Sequence, residues 1–473
     1  MNSIVSHHII IAQHYKKRVK KQRGIPKKSP ATLLFLLTKT PSLLVRKIGS
    51  IPAMLSLTVS ALYNVTGKKI QTSSVILPSQ SYDVIIVGAG PAGGYVAYEL
   101  AASGHSVAVF EAKTAPGLDV CCTGIISTEC FDSFGLSQDL ILTKAKSAKF
   151  FSPSGRWLRL QTEKIQAYVV DRLLFDQAIA SKARSQGVQY FFSSPVTDIS
   201  IEKNNARVEI SCHGAKEIVT ARAVILANGF KVKLPQKLGL GQIKNCLIGA
   251  QAEIQVEEID EVEIYIGRTI APGSFAWIVP TATNKALVGL LSTSQAKQHL
   301  EKFFFSPFCP SSIAGQELEI RQKAIPLGTL PRTYGDRILV IGDAAGQVKP
   351  TSGGGIYFGH LGAKMAVEVL DKALCDDNLS AARLSLYQKK WKARLGREIF
   401  LGYWARRAYA RLSDRQIERI FNMLDFGGMA EALLSMPDFS FDWHSRLILP
   451  GLKYAAIYPL SKTWSFLSNK ASP

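Results

Sequence analysis

The chain has 473 residues, of which 47% are hydrophobic, so it can bury a sizeable core in one large or two closely joined domains. Its seven cysteines form no Cys-x-x-Cys pair, which argues against a disulfide framework and gives no zinc pattern. The formal net charge is +21, but residues 1–82 carry 13 of the basic residues and no acidic residue. The remainder is only mildly basic, at +8, so we expect no nucleic-acid partner.

The first 79 residues differ in composition from everything that follows. A basic run at 16–23 precedes an apolar stretch at 31–63, which charged residues and prolines interrupt. No part of it reaches the roughly 18 uninterrupted apolar residues expected of a membrane-spanning helix. We interpret residues 1–79 as a membrane-docking or organelle-targeting extension, which predicts a peripheral membrane or organellar location. The alternative is a disordered extension on a cytoplasmic protein.

A glycine-rich turn follows the first strong strand signal. The run Val84–Val87 is apolar and β-branched, as expected for a buried parallel strand. Gly88 permits the tight turn, Gly90 lets the backbone approach a pyrophosphate without a Cβ, and Gly93 lets the next helix pack closely. That helix, predicted at 92–103, points its amides and dipole at the phosphates.

The residues around this turn complete the pattern of a dinucleotide site. Pro91 directly precedes the predicted helix and Ala92 opens it, and both are expected to contact the cofactor. A second strand at 106–110 ends at Glu111, whose carboxylate can accept hydrogen bonds from ribose hydroxyls and would repel a 2′-phosphate. A lone Gly-x-Gly-x-x-Gly is a weak signal. The strand before it, the helix after it and an acid about 20 residues further on make it a strong one.

A second segment about 250 residues later points to FAD rather than NAD. Another buried strand is predicted at 338–341, and Asp343 follows it, where its carboxylate can accept hydrogen bonds from flavin ribityl hydroxyls. Gly353, Gly354 and Gly355 then precede a long helix that starts at Ile356. Glycines at this position let backbone amides meet a ligand edge, and the helix dipole would stabilise negative charge on a reduced flavin.

Together the two segments resemble the geranylgeranyl reductase family of FAD-dependent oxidoreductases, within the p-hydroxybenzoate-hydroxylase-like flavoprotein group. Gly-Asp-Ala-Ala-Gly at 342–346 followed by Thr-Ser-Gly-Gly-Gly-Ile-Tyr-Phe at 351–358 carries the resemblance. Further similar stretches lie at 122–127, 170–176, 272–280 and 387–412. Ile125 stands where the family usually has a second glycine. The resemblance spans roughly residues 80–425.

The resemblance implies an α/β fold in which an FAD-binding Rossmann-like domain carries an inserted antiparallel-sheet substrate domain and a helical C-terminal region. The FAD-binding domain would be discontinuous, at residues 80–230 and 331–375. The substrate domain would span 231–330 and include strands from 147–160, and the helical region would span 376–473. The alternating apolar pattern between 248 and 291 agrees with antiparallel strands.

The resemblance also implies roles for residues outside the glycine motifs. Arg172 would contact FAD, and Val196 would place its backbone near the adenine. Cys122 would lie beside the flavin and act in catalysis, whereas the commoner role of a free cysteine is that of a small buried hydrophobe. Ordinary core packing is the alternative for the aromatic residues of the implied prenyl pocket. The residues of that pocket are Phe275, Trp277 and Pro280.

The function implied is saturation of double bonds in a geranylgeranyl (prenyl) chain carried by a lipid, a pigment or a quinone. An aromatic monooxygenase of the same fold and a prenyl-binding escort protein are the alternatives. Intact glycines and Asp343 favour true flavin binding over an escort role. Because the one dinucleotide fingerprint is assigned to FAD, the reductant would be transiently bound NAD(P)H or a ferredoxin-like donor.

Overall fold

The computed structural model describes residues 81–425 except 213, 231, 258 and 310–317, and also residues 432, 434, 440–446 and 448. The chain divides between Pro78 and Ser79, so the predicted extension at 1–79 lies outside the described residues. Within the described part of the chain, no helix combines the length and the apolar character needed to cross a bilayer.

Strands outnumber helices up to residue 355, and from residue 356 onward the described part of the chain contains helices but no strand. The strands are β1 (Tyr82–Val87), β2 (Val107–Phe110), β3 (Ile125–Ser127), β4 (Ile141–Ala145), β5 (Ser147–Phe151), β6 (Trp157–Gln161), β7 (Ala167–Val170), β8 (Gln189–Phe191), β9 (Val196–Ile201), β10 (Ala206–Cys212), β11 (Ala215–Leu226), β12 (Cys246–Gln255), β13 (Val262–Ile266), β14 (Phe275–Ala282), β15 (Lys285–Ser292), β16 (Arg321–Pro326), β17 (Tyr334–Gly335) and β18 (Ile338–Val340). The helices are α1 (Pro91–Ala102), α2 (Thr128–Phe134), α3 (Arg172–Arg184), α4 (Leu234–Lys237), α5 (Ala296–Phe304), α6 (Ile356–Cys375), α7 (Ala381–Tyr409) and α8 (Asp414–Asp425).

The first sheet is the cofactor-type sheet, with the order β17-β18-β11-β1-β2-β8. The pairs β18–β11, β11–β1, β1–β2 and β2–β8 are parallel, and β10 and β9 extend β11 as an antiparallel ribbon. Val84, Ile85 and Ile86 are fully buried, and Val84 and Ile86 pack against residues of α1, α3 and α6 on one face of the sheet. The carboxyl ends of β1, β2 and β18 therefore meet at one edge, where open α/β sheets bind their ligands. Helix α1 begins at Pro91, one residue before its predicted start.

The second sheet has the order β16-β12-β15-β14-β13-β5-β6. Its pairs are antiparallel, as predicted, except that β5 runs parallel to β13. The exception arises because β5 and β6 form a hairpin from a distant part of the sequence, so no tight turn fixes their direction relative to β13. One face of this sheet packs Ala276 and Ile278 against Leu300 and Phe303 of α5.

Helix α7 joins the C-terminal region to the first sheet through buried polar contacts. Its Tyr387 hydroxyl donates to the carbonyl of Val340 at 2.9 Å, and its Trp391 indole donates to Thr333 Oγ1 at 2.9 Å. Gln347 Nε2 donates to the Tyr387 oxygen at 2.8 Å. Since each of these groups is buried, the hydrogen bonds satisfy polar atoms that would otherwise destabilise the core. Helix α7 is therefore fixed beside the second glycine motif.

Candidate active site

A cavity of about 970 Å³ lies where the carboxyl edge of the first sheet faces the second sheet. It brings together residues from both glycine motifs and from the predicted prenyl pocket. The predicted site residues that line it are Gly90, Pro91, Ala92, Cys122, Arg172, Phe275, Trp277, Asp343, Gly353, Gly354, Gly355 and Ile356. The predicted site residues that are not among its lining residues are Gly88, Gly93, Glu111, Val196 and Pro280.

The three glycines of the first motif have different surroundings. Gly88 has φ +104°, and a Cβ there would lie 2.6 Å from the carbonyl oxygen of Ala227. A Cβ at Gly93 would collide with the carbonyl oxygen of Gly88, so both glycines are required by packing within the protein. Gly90, by contrast, lines the cavity and has no heavy atom within 4 Å of its ideal Cβ position. It leaves the open side on which a ligand can approach the backbone.

Glu111 stands directly behind this turn. Its Oε2 accepts a hydrogen bond from the amide of Ala89 at 2.8 Å, and its Oε1 accepts one from the amide of Lys113 at 2.9 Å. These bonds hold the carboxylate at the end of β2, beside the Gly88–Gly90 turn. Val196 is the first residue of β9 in the antiparallel ribbon, and the structure does not bring it to the cavity.

Asp343 and Lys323 form an ion pair that links the two sheets at the cavity. Lys323 Nζ lies 2.8 Å from Asp343 Oδ2, and both residues line the cavity. The charge of Asp343 raises the pKa of Lys323. An ideal Cβ on Gly355 would lie only 2.6 Å from Asp343 Oδ1. A larger residue at this position would therefore clash with the carboxylate.

Arg172 opens α3 and is held by a carboxylate one turn further on. Its Nη2 donates to Asp176 Oδ1 at 2.8 Å and to Oδ2 at 2.9 Å, and both side chains are largely buried. Burial alone would lower the pKa of Arg172, but Asp176 and the neighbouring Cys122 outweigh it and raise that pKa. The Nε atom of Arg172 is buried without a hydrogen-bond partner among the described residues. Cys122 therefore lies at the cavity wall beside a fixed cation.

The second sheet supplies the apolar wall of the cavity through strand alternation. On β14, Phe275, Trp277 and Val279 face the cavity, whereas Ala276 and Ile278 face α5. Cross-strand pairing extends this wall over the whole sheet, because paired residues project from the same face. One row of paired residues runs from β12 to β6 through Gln251, Gly289, Trp277, Ile264, Phe150 and Leu158.

The same alternation argues against Pro280 as a wall residue. Pro280 is two residues after Ile278 and pairs with Ala286, so it belongs to the face directed away from the cavity. Val279 takes the place that the sequence interpretation gave to Pro280.

Gly289 makes room for Trp277 within this wall. An ideal Cβ on Gly289 would lie 2.5 Å from Trp277 Cζ2 and 2.7 Å from the carbonyl oxygen of Ala250. The indole thus lies over a glycine of the neighbouring strand. Trp277 Nε1 and Gln251 Oε1 are buried and have no hydrogen-bond partner in the described part of the chain. Gln251 Nε2 donates to the Cys122 carbonyl at 3.4 Å, which places this amide beside Cys122.

A buried polar cluster closes the cavity beside the second glycine motif. Lys349 Nζ lies 2.6 Å from Asp442 Oδ1, and the two side chains are 7% and 2% exposed. His444 is hydrogen-bonded to Thr351 and, through Nε2, lies 3.0 Å from the carbonyl oxygen of Phe441. Burial, together with the charge of Lys349, lowers the pKa of His444 to about 4, so this imidazole is neutral near pH 7. All these residues line the cavity.

Comparison with known proteins identifies the family. The family described as lycopene cyclase protein matches residues 83–430. The chain is 30% identical over 364 residues to digeranylgeranylglycerophospholipid reductase 1 of Methanothermobacter thermautotrophicus. The match covers 73% of this chain and 91% of that protein. The chain belongs to the geranylgeranyl reductase family of FAD-dependent oxidoreductases. The present chain is also 31% identical over 349 residues to an uncharacterized protein of Methanocaldococcus jannaschii. That match covers 72% of the present chain and 88% of the M. jannaschii protein.

A solved structure shares the fold of the present chain. The crystal structure of a geranylgeranyl bacteriochlorophyll reductase-like protein from Thermoplasma acidophilum matches with a TM-score of 0.71 at 24% identity. The match covers 80% of this chain and 97% of that one. The predicted fold class, a Rossmann-like domain with an inserted sheet and a helical C-terminal region, is therefore confirmed.

The cavity of the reductase fits FAD. Gly90 leaves its Cβ side open, and both Gly90 and Arg172 line the cavity; the buried Nε–H group of Arg172 has no hydrogen-bond partner among the described residues. Asp343 and the glycines at 353–355 lie on the same cavity, as the two-segment motif requires for a cofactor that spans both. Several cavity residues were not predicted as site residues, although Lys349 lies within the second glycine segment and Arg406 within the similar stretch at 387–412. They are Gln251, Lys323, Lys349, Arg406 and Asp442.

Replacing Gly90 tests whether the open space beside it holds FAD. The backbone at Gly90 has φ −73° and ψ 179°, which other residues adopt without strain. Gly90→Val should therefore fold normally while its side chain occupies the pyrophosphate space, and purified protein should lose most of its bound flavin. Gly396→Ala, at an α7 position where the nearest atom to a Cβ is 3.8 Å away, is the matched control and should keep its flavin. Full flavin content in Gly90→Val, read by absorbance after gel filtration, would contradict the assignment.

The Lys349–Asp442 pair predicts a large stability effect. Asp442→Asn should lower the free energy of unfolding by about 3 to 5 kcal/mol, because it leaves Lys349 buried without its counter-charge. Combining it with Lys349→Met should restore much of that loss. Glu368→Gln breaks the exposed pair with Lys390 and should cost under about 1 kcal/mol. Urea unfolding gives the free energy of unfolding of wild type and the three variants. Equal losses for Asp442→Asn and Glu368→Gln would show that the buried pair contributes no more to stability than the exposed pair.

Proposed function

We propose that this reductase saturates double bonds of a geranylgeranyl chain carried by a lipid, a pigment or a quinone. The observation that carries the proposal is one continuous cavity with the flavin-binding loops at one end and the apolar face of a seven-stranded sheet as its wall. The names of relatives, such as digeranylgeranylglycerophospholipid reductase, support a prenyl substrate.

The dimensions of the wall favour a long chain over a compact ring. Neighbouring strands lie about 4.8 Å apart, so the six intervals from β16 to β6 give a wall of roughly 29 Å. The side chains along it are mainly aliphatic or aromatic, and they exclude water from whatever lies against them. An aromatic hydroxylase needs a pocket for one ring, so this wall argues against that alternative.

Reduction of an isolated alkene needs a hydride on one carbon and a proton on the other. Bound FAD in its reduced state supplies the hydride. We assign the proton to Cys122 Sγ, because Cys122 lines the cavity beside the guanidinium of Arg172. Phe275 and Trp277 hold the chain against the sheet. The reductant that recharges the flavin is NAD(P)H or a ferredoxin-like protein.

We also propose that the enzyme works at a membrane surface, where prenylated lipids reside. The acid-free basic composition of residues 1–82 supports attraction to anionic lipid. On α7, Phe400 and Trp404 are 61% and 48% exposed, and Arg407 lies 5.3 Å from the Trp404 ring, a pairing suited to an interface. Full-length protein should co-sediment with anionic vesicles, and Phe400→Ser/Trp404→Ser should weaken this several-fold. Unchanged sedimentation of the double variant would show that Phe400 and Trp404 of α7 do not contribute to membrane binding.

The reaction is tested by mass spectrometry with matched pocket variants. Dithionite-reduced holoenzyme, incubated anaerobically with a geranylgeranyl compound, should add two hydrogens per reduced bond. Trp277→Ala should weaken substrate binding by about tenfold or more while flavin content stays unchanged, because it removes a large wall side chain. Cys122→Ser should lower turnover more than flavin content.

Three other outcomes separate the alternatives. A product of unchanged mass but altered retention would indicate cyclisation, as the description of the matching family suggests. Stimulation of NAD(P)H oxidation by a small aromatic acid, with no prenyl product, would favour the hydroxylase. Prenyl binding without any flavin would favour the escort protein.

A further inference from the structure

We propose that the end of the cavity beside α7 is a subsite for a phosphate-bearing head group, formed by Arg406 and Ser274. This inference rests on the proposed prenyl reduction, and it adds the chemistry of the head group. The subsite adjoins Phe275, the first wall residue on β14, so an anion bound there would be continuous with a chain lying along the sheet.

Arg406 is a cation without a carboxylate partner among the described residues. It lines the cavity from α7, and its Nη1 donates to the carbonyl of Gly273 at 3.2 Å. Three other cations that line the cavity differ, since Arg172, Lys323 and Lys349 each contact a carboxylate. Burial lowers the pKa of Arg406, which is the sign of a guanidinium whose charge the protein leaves uncompensated. An anionic ligand would supply the missing charge.

Ser274 provides a second, independent sign of a ligand. Its side chain is 3% exposed and lines the cavity, and its Oγ has no hydrogen-bond partner in the described part of the chain. A buried hydroxyl without a partner is costly, so such groups are commonly completed by water or ligand. Ser274 directly follows Gly273, whose carbonyl accepts the bond from Arg406, so the hydroxyl lies in the turn that the guanidinium contacts.

The turn that carries Ser274 is fixed in place by α7, the helix that carries Arg406. The Tyr409 hydroxyl donates to the carbonyl of Ser274 at 3.1 Å. Gly273 has φ +75°, and an ideal Cβ there would lie 3.3 Å from Ala410 Cβ, so the turn packs directly on the end of the helix. A planar guanidinium fork together with a hydroxyl donor suits the several oxygens of a phosphate or diphosphate.

The test compares ligands that share a chain and differ in charge. Oxidised holoenzyme is titrated by calorimetry with geranylgeranyl diphosphate, geranylgeranyl monophosphate, geranylgeraniol and inorganic pyrophosphate. Wild type should bind both phosphorylated chains more tightly than geranylgeraniol, and pyrophosphate alone should bind far more weakly than either. Arg406→Gln should weaken both phosphorylated chains by about 10- to 100-fold and change geranylgeraniol by less than about threefold.

Two further variants and one control make the result specific. Arg406→Lys keeps the charge without the fork and should show an intermediate loss. Ser274→Ala should lose about fivefold for the phosphorylated chains alone. Arg411→Gln removes an exposed guanidinium just beyond α7 and should leave all four affinities unchanged. Flavin content and unfolding midpoint of each variant confirm that it is folded.

The outcomes that overturn the inference are distinct from those that overturn the function. Equal weakening of the charged and uncharged chains in Arg406→Gln, or no weakening, would mean that Arg406 has only a structural role. Pyrophosphate binding as tight as that of the prenyl diphosphate would show a site for free phosphate rather than for a head group. Failure of wild type to bind any of the three prenyl compounds would instead remove the prenyl function, and this inference with it.

Discussion

The architecture depends on a sheet that is apolar on both faces. Side chains along a strand alternate, so each strand of the second sheet supplies residues to two environments. One set packs with α5 into an ordinary core, as Ala276 and Ile278 do. The other set, which includes Phe275 and Trp277, faces the glycine loops of the first sheet and leaves the space between them open. The apolar slot and the flavin-binding edge are thus two sides of one cavity.

The cations that line this slot differ in how their charge is offset. At the flavin end, Arg172, Lys323 and Lys349 each contact a carboxylate, and the shortest of these contacts is the buried bond between Lys349 and Asp442. Arg406 at the α7 end has no such partner among the described residues. A buried cation without a counter-charge lowers the stability of the fold. The two ends of the slot therefore differ, because, of these cations, only Arg406 at the α7 end would gain from a bound anion. In the proposed binding mode, the unpaired cation attracts an anionic head group, and the prenyl chain lies along the apolar sheet toward the flavin end.

Local sequence motifs allowed the cofactor-binding end of the cavity to be predicted. The remaining contacts of the cavity depend on pairing between distant strands, which local motifs do not reveal. Turn sterics around Gly88, Gly90 and Gly93 act within a few residues, so sequence patterns report them directly. The direction of Pro280 depends on the strand register, which a sequence leaves open by one residue, and a shift of one residue exchanges the two faces. Lys323 reaches Asp343 only because β16 pairs with β12, and no local pattern marks that pairing.

The C-terminal region shows the same limit on sequence reasoning. Residues 376–473 were predicted to be helical, and α7 and α8 lie there. Asp442, however, reaches the cofactor loop only through a contact with Lys349, 93 residues earlier in the chain. Its role follows from tertiary structure, in which a buried charge must meet an opposite charge.

The central claim is that one cavity holds both the flavin and the prenyl chain, so that electrons pass directly between them. The most direct measurement is an anaerobic single turnover in which reduced holoenzyme is mixed with geranylgeranyl substrate and absorbance near 450 nm is followed. The account predicts that oxidised flavin returns in proportion to the double bonds reduced, and faster as substrate concentration rises. Flavin that stays reduced with every prenyl substrate until oxygen is admitted would contradict it.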